Sequence, residues 1–509
     1  MSHEIEIKFR VPASARQALK AELAADGARV HRTTLMARYF DTPDRRLARS
    51  GLAWRVRREG RRWVQALKAG GEGGLQRFEH EVALAQGQPD ATLHAGTAPG
   101  RQLLRILDEA QSDGHAVGER FRVEVRRTHR LLRTRTAQVE LAFDEGWIVA
   151  GERRLRVCEL EFEHRAGSVA AMLALAGRWC SRLGLWVDPT SKAQRGDRLA
   201  EGQMGPTPRR AERTDYPAHA NAWQAFGVVV DACLDQILHN ASGLCEGDAQ
   251  HRAEHVHQLR VGMRRLRSAL RSFRGWVDAP PQRAMTGLKR VFTQLGHARD
   301  ADVLQGPIAQ AMLADGVPLG PAPLLPGSVD AAACLRGNDA QQVLLEWLRW
   351  RADWPSSPAL STPESPADTP DAAAPVPLAQ RAQRRFGRWH RSLRADAANF
   401  DAMTETEVHA LRKRVKRQRY ALEFFAPLLD PAQTAAYLEV LAQLQDRLGT
   451  LNDLFVARER FQSQPQVETS AWLALGWLAP RLVESRAQVK PALQRLARCK
   501  PPSARSGKR

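Results

Sequence analysis

Several short stretches of this 509-residue chain alternate charged and apolar side chains, a spacing that gathers the charges on one face of a β-strand. HEIEIKFR sets Glu4, Glu6, Lys8 and Arg10 against Ile5, Ile7 and Phe9, and LAWRVRR sets Arg55 and Arg57 against Leu52, Trp54 and Val56. RFEHEVAL sets Arg77, Glu79 and Glu81 against Phe78, His80 and Val82. AQVELAFD divides Glu140 and Asp144 from Val139, Leu141 and Phe143, and CELEFEH divides Glu159, Glu161 and Glu163 from Cys158, Leu160 and Phe162. Carboxylates gathered in this way hold hard divalent cations through oxygen, and Arg or Lys opposite them hold phosphate oxygens. The chemistry on offer is attack on a phosphoryl group whose charge a bridging metal neutralises. Two architectures fit the alternation. An ordinary sheet would keep its apolar side in the core and its charges in water. An inverted barrel would line a tunnel with the charges, cover its apolar outside with helices such as 13–26, and bury ions only because a ligand needs them.

The elements that position these residues occupy the first two fifths of the chain. Residues 3–200 mix period-2 runs with helical patterns at 13–26, 100–111 and 168–183, whereas 218–500 is almost entirely of helical period. The predicted class is α+β, with tunnel or sheet first and an all-α part second. Boundaries expected from composition are 1–202, a Gly/Pro/charge-rich linker at 203–217, 218–500, and a basic tail at 501–509. The Pro/Ser/Ala-rich segment 355–377 reads as a flexible insertion and 314–327 as a loop. The helical part is duplicated. VHQLRVGMRRLRSALRSF (256–273) and VHALRKRVKRQRYALEFF (408–425) share nine of eighteen positions, and each is followed some forty residues later by LGHARDADVL or LGTLNDLFVA. The repeats are about 218–354 and 378–500.

Lys and Arg number 76 against 56 Asp and Glu, a formal charge of +20. Residues 1–200 hold 35 basic and 25 acidic side chains and the remainder 41 and 31, so each part is basic by ten. An excess spread through folded parts points to polyanionic partners. The six cysteines show neither C-x-x-C nor zinc spacing and are expected to be reduced and mostly buried. No apolar run reaches membrane-spanning length and the first residues lack a secretory pattern, so a cytoplasmic protein is expected.

The blocks E-x-E-x-K at Glu4, Glu6 and Lys8, ARYFDTPDRRLARSGLAWRVRREGRRWVQALKAGG (37–71), RFEHEV (77–82), CELEFE (158–163) and SKAQRG (191–196) occur in the order in which the CYTH domain of triphosphate tunnel metalloenzymes carries them, and 1–200 resembles that domain. The resemblance implies an antiparallel eight-stranded tunnel with covering helices that processes triphosphates with Mg²⁺ or Mn²⁺. Carried over by position, it implies Glu4, Glu6, Asp144, Glu159, Glu161 and Glu163 as metal ligands. Glu4, Glu6, Lys8 and Glu161 are then catalytic, and Lys8, Arg55, Arg57, Lys68, Arg77, Arg127, Lys192 and Arg195 bind phosphate. The family's Arg-Thr pair matches Arg127 and Thr128, whereas alternation from Arg122 and Glu124 turns Arg126 into the tunnel; a β-bulge would reconcile the two. Hydrolysis of inorganic triphosphate is preferred over adenylate cyclisation or an organic (thiamine or nucleoside) triphosphate, because the appended basic half suits a phosphate-only ligand.

On a helical wheel Arg260, Arg264, Arg267 and Arg271 fall within a sector of about 80° beside His257, opposite Leu259, Met263, Leu266, Leu270 and Phe273. His409, Arg412, Lys416 and Arg419 repeat the stripe. Such cations repel one another unless an anion neutralises them. These helices, with the L-G-x-x-x-D echoes at Asp300 and Asp453, resemble the CHAD domain. That resemblance implies two duplicated four-helix bundles whose stripes bind inorganic polyphosphate through His257, Arg260, Arg264, Arg267, His409, Arg412, Lys416 and Arg419. His257 either pairs with a carboxylate such as Asp300 or contacts phosphate. A non-catalytic polyphosphate or RNA binder is the remaining alternative; the stripes carry no aromatic platform except Tyr420, which favours a base-free polyanion over nucleic acid. The implied partners are tripolyphosphate and polyphosphate, not a membrane, and the implied location is the cytoplasm with association to polyphosphate granules.

Overall fold

A computed structural model of the chain describes residues 2–25, 29–70, 76–246, 249–305, 307–317, 330–354, 376–462 and 469–505. All but the last two residues of the expected insertion at 355–377, and most of the 314–327 loop, lie outside them. The first part runs β1 (Ser2–Arg10), α1 (Arg16–Leu23), β2 (His31–Asp41), α2 (Arg46–Arg49), β3 (Leu52–Glu59), β4 (Arg62–Ala69), β5 (Gln76–Leu84), α3 (Ala98–Ser112), β6 (Gly118–Arg133), β7 (Ala137–Ala150), β8 (Arg153–Gly167), α4 (Val169–Leu183), β9 (Trp186–Val187) and α5 (Lys192–Ala200). The strands join antiparallel in the order β5-β4-β3-β2-β6-β7-β8-β1, and β1 pairs back onto β5 through Glu4 opposite Arg77, closing an eight-stranded barrel. The short β9 adds to β1 at Phe9 opposite Val187.

The barrel is inverted over most of its circumference. Ile7, Phe9, Leu141, Phe143, Leu160 and Phe162 point outward and are buried beneath α1 and α4 by Leu19, Leu23, Met172 and Trp179. Leu52, Trp54 and Leu67 are covered by Leu47 of α2 and by Leu103 and Ile106 of α3. The charged faces of β1, β3, β5 and β8 turn inward, the tunnel rather than the ordinary sheet.

Strands β2 and β6 depart from that pattern. Their inward side chains are Leu35, Ala37, Tyr39, Phe121, Val123 and Val125, which form a small core with Leu199 and Ala193 of α5. A capping box at Ser191 and Gln194 starts α5 and directs it against this patch, and Gly196 permits the closest approach: a methyl there would lie 2.1 Å from the Phe121 ring. Arg122 and Glu124 therefore face solvent, and the expectation that Arg126 points inward with them is corrected. Arg126 is exposed, Arg127 pairs opposite Asp144 inside, and the register is continuous between them with no bulge. Alternation was sound, but the strand's apolar side faces the interior here because α5 lies within the barrel.

The second part comprises α6 (Ala222–Glu246), α7 (Arg252–Ser272), α8 (Gln282–Gln305), α9 (Pro307–Ala314), α10 (Ala331–Arg336), α11 (Asn338–Ala352), α12 (Leu378–Ala398), α13 (Glu405–Phe425), α14 (Pro431–Gln462) and α15 (Thr469–Arg498). The duplication is visible as α6, α7, α8 and α11 against α12, α13, α14 and α15. Matching residues of the two copies meet one another: Phe273 and Phe425, equivalent in the repeat, lie tilted against each other with ring centres 4.7 Å apart. The two parts pack together through α4 and α11, where Gln342 donates to the Gly177 carbonyl at 3.0 Å, and Gln341 accepts from the Val187 N–H of β9 at 2.8 Å. All six cysteines are free, four of them buried. Among the described residues no helix is long and apolar enough to cross a membrane.

Gly196→Ala should unseat α5 and lower stability by about 1–3 kcal/mol, the usual cost of overpacking. Denaturant titration checks this, and Phe121→Ala in the same chain should recover part of the loss; additive losses would refute the contact.

Candidate active site in the barrel and a basic groove between the repeats

The barrel encloses a cavity of about 1150 Å³. Glu4, Glu6, Lys8, Arg55, Arg57, Lys68 and Arg77 reach it from β1, β3, β4 and β5. Arg127, Asp144, Glu161 and Glu163 reach it from β6, β7 and β8, and Lys192 from the first turn of α5. Of the residues expected here, Glu159 and Arg195 sit behind the lining instead, fully buried and bonded to each other at 2.6 Å. Arg195 also holds the buried Asp188, so it ties α5 to the end of β9 rather than meeting the cavity.

Opposite charges interleave around the wall. Arg127 donates to Asp144 at 2.8 and 2.7 Å and to Glu161 at 2.6 Å. The Lys192 ammonium lies 2.7 Å from Asp144 and 2.9 Å from Glu161, and it also contacts Glu159. On the other wall Lys68 donates to Glu4 at 2.6 Å, Arg77 to Glu6 at 3.4 Å, and Arg55 to Glu79 at 3.1 Å. Burial alone would raise the Asp144 and Glu161 carboxyls, but Arg127 and Lys192 outweigh it and hold both below the usual carboxylate range. Lys8 is pushed below the ordinary lysine value, first by burial and then by Arg77. Glu163 goes the other way: burial and the neighbouring carboxylates Glu4, Glu140 and Glu6, against the guanidinium of Arg165, push it up to about 8.

The acids fall into two groups. Asp144, Glu159 and Glu161 bring ligand atoms within 4.8 Å of one another, but Lys192 already bridges all three. Glu4, Glu6 and Glu163 are likewise paired, with Lys68, Arg77 and Arg165, and these three carboxylates supply oxygen donors of the kind that a hard divalent cation takes. Sequence reasoning left Glu79, Glu81, Glu140 and Arg165 out of the site, although all four line the cavity. The signal was present, since each shares strand parity with a chosen neighbour. Tyr39, whose hydroxyl lies 3.5 Å from Arg55, was hidden on an apolar strand.

In the helical part the two stripes converge. Arg260 stacks 4.3 Å from the centre of the Phe292 ring and donates to the Phe292 carbonyl at 2.7 Å, with the guanidiniums of Arg264 and Arg267 6.0 and 5.5 Å from the same ring. Arg412 and Lys416 of α13 stand in the field of Arg264; burial and these two arginines push Lys416 down to about 6. Arg419 is partly engaged by Glu423 at 3.1 Å. His257 is half-buried and the Asp300 side chain is outside the described residues. His409 is exposed and meets Asn452 at 2.9 Å, the residue before the expected Asp453. A further cavity of about 670 Å³, ringed by Arg271, Arg274, Arg385, Arg388 and Arg417, takes in α12, whose basic residues the stripe pattern did not include.

Residues 2–196 match the CYTH domain model and residues 228–462 the CHAD domain model. An inorganic triphosphatase of Haemophilus influenzae (strain ATCC 51907 / DSM 11121 / KW20 / Rd) is 27% identical over 208 residues, 40% of this chain and 57% of that relative; the chain spans little more than half the length of this curated relative. The crystal structure of the CHAD domain from the plant Ricinus communis is 29% identical, with a TM-score of 0.47, over 59% of this chain and 100% of that one. A putative adenylyl cyclase from Hippeastrum, described as revealing a dominant triphosphatase activity, is 19% identical with a TM-score of 0.27, over 40% of this chain and 98% of its own.

Lys192→Ala leaves three carboxylates without their shared cation and should cost about 3–5 kcal/mol at pH 7. The folded-state values of Asp144 and Glu161 lie below their unfolded ones, so their stabilisation is present above the unfolded carboxylate pKa and lost as pH falls. The gap between wild type and variant should therefore narrow on acidification, which denaturant midpoints from pH 7 down to pH 3 measure. A gap independent of pH would contradict the assignment.

Proposed function

We propose that this chain, a CYTH domain followed by a CHAD domain, hydrolyses inorganic triphosphate in its barrel with Mg²⁺ or Mn²⁺ and binds inorganic polyphosphate along the groove between its helical repeats. The observation that carries the first half is the distribution of cations around one enclosed cavity. Arg55, Arg57 and Lys68 stand on one side, Arg127 and Lys192 on another, and Lys8 and Arg77 between, so each phosphate of an extended chain has a partner. The activity named for the Haemophilus influenzae relative supports the inorganic substrate.

Glu4, Glu6 and Glu163 would hold the divalent cation, which when bound neutralises charge on the phosphoryl group under attack. The protein's own side chains do the rest. Arg127 and Lys192 keep Glu161 ionised, so it can accept a proton-bearing contact from a water and aim it at phosphorus. Lys8, buried near the C-terminal end of β1, offers charge that strengthens as an anion arrives, because the anion favours the ammonium against its desolvation. Asp144 supports this set from behind through Arg127. Glu159 and Arg195, being fully buried, position α5 and with it Lys192.

For the helical part the supporting observation is the crowding of Arg264, Arg412 and Lys416, three cations from two repeats whose mutual repulsion an anion would relieve. A linear polyphosphate matches a groove that offers phosphate contacts and little stacking. Such a partner fits a cytoplasmic location with association to polyphosphate granules.

Glu4→Gln with Glu6→Gln should abolish metal-dependent phosphate release from tripolyphosphate, more than a hundredfold in kcat, with the fold intact by circular dichroism. Undiminished release in that double variant would remove the barrel chemistry.

Polyphosphate binding should take up protons. Lys416, near 6 when free, is mostly neutral at pH 7.5, and a bound polyanion restores its ammonium, so affinity should fall as pH rises from 6 to 9. Calorimetry in buffers of different ionisation enthalpy reads this uptake directly, and Lys416→Met should reduce it. Uptake equal in variant and wild type would refute the role of Lys416.

A further inference from the structure

The barrel alone does not close its cavity. Asp235 and His239, one turn apart on α6, and Arg209 from segment 203–217 line the same space as the barrel's own side chains. That segment has no regular secondary structure, yet the helical part grips its backbone at successive points. The Pro206 carbonyl meets His255 Nε2 at 2.9 Å and the Thr207 carbonyl meets His239 Nε2 at 3.0 Å. Asn240 clamps Arg209 on both sides, accepting from its N–H at 3.1 Å and donating to its carbonyl at 2.9 Å. His255 and Asn240 are wholly buried and 3.0 Å apart. Such a satisfied buried network specifies one conformation, and what it fixes is the point from which Arg209 leaves the chain.

The Arg209 guanidinium donates to Glu212 at 3.0 Å, a well-exposed carboxylate three residues on, and a contact of that kind is worth little in water. At the same mouth Arg77 donates to the Pro189 carbonyl at 2.8 Å and reaches Glu6 at 3.4 Å. Arg77 from β5, Arg209 from the irregular segment and Asp235 from α6 all line this cavity, so both guanidiniums face the same space. A guanidinium fork matches two oxygens of one phosphate, and two forks suit the three free oxygens of a terminal phosphate better than an esterified one.

We propose that Arg209 is a substrate-binding residue of the barrel site supplied from outside the barrel, pairing with Arg77 on the terminal phosphate of an inorganic triphosphate and favouring an unsubstituted chain end. The inference rests on the triphosphate reading of the barrel. It makes the linker and α6 part of the active site rather than a tether.

The full-length chain tests it. Arg209→Ala should raise KM for tripolyphosphate about tenfold and weaken tripolyphosphate binding, measured by calorimetry in EDTA without turnover, by a similar factor. Arg209→Lys, which keeps the charge but loses the fork, should recover only part of either. Arg210→Ala, an exposed neighbour with the same change in net charge, should match wild type in both. Should Arg209→Ala melt at a lower temperature, Arg209→Gln takes its place, since the backbone clamp by Asn240 needs no particular side chain. A twofold change or less in both KM and binding on losing Arg209, or an equal loss in Arg210→Ala, overturns the proposal while leaving the triphosphate reading intact. No tripolyphosphate hydrolysis by the wild-type chain defeats that reading, and this proposal with it.

Discussion

Charge compensation inside a closed barrel governs this molecule. An ion removed from water is stable only beside its opposite, and here the acids and bases that a ligand would need are placed on neighbouring strands so that they satisfy one another in its absence. Lys192 shows the arrangement most clearly, with one ammonium among three carboxylates contributed by β7 and β8. The barrel wall, the start of α5 and the ligand chemistry therefore depend on the same ion pairs, and none of the three can be altered alone.

That constraint explains why α5 enters the barrel. A barrel lined wholly by charge would have to pair every one of its inward positions; by turning apolar faces of β2 and β6 inward and covering them with α5, the fold leaves fewer charges to pair. Arg195 then fastens α5 through Glu159 and Asp188, and Asp188 accepts in turn from Ser242 of α6 at 2.8 Å. A buried polar line thus runs from the acidic group in the barrel to the helical part, and the two parts share an active-site wall.

Much of this was legible in residue order. The period-2 charges on β1, β3, β5 and β8 separated a charged face from an apolar one, and the resemblance to the CYTH domain implied that the charged face turns inward. Arg126 and Arg127 show where the rule fails: parity says only that two faces differ, and which one turns inward depends on α5, some seventy residues away in sequence. Glu79 and Arg165 were within reach of parity, since each continues an alternation already recognised. Arg209 was not, because an irregular segment has no period to read and its placement rests on Asn240 and His255, which look like ordinary helix residues.

The meeting of Phe273 with Phe425 has a meaning for ancestry and assembly. Equivalent residues touching across a seam are the mark of a self-complementary, isologous surface, the kind that joins two identical subunits. Trp276, packed at 5.7 Å against the Phe425 ring, belongs to the same seam. A single helical repeat would leave this aromatic surface bare, so the covalent tandem buries within one chain what an isologous pair buries between two. The two copies are not interchangeable within the chain: the first lies against the barrel through α11.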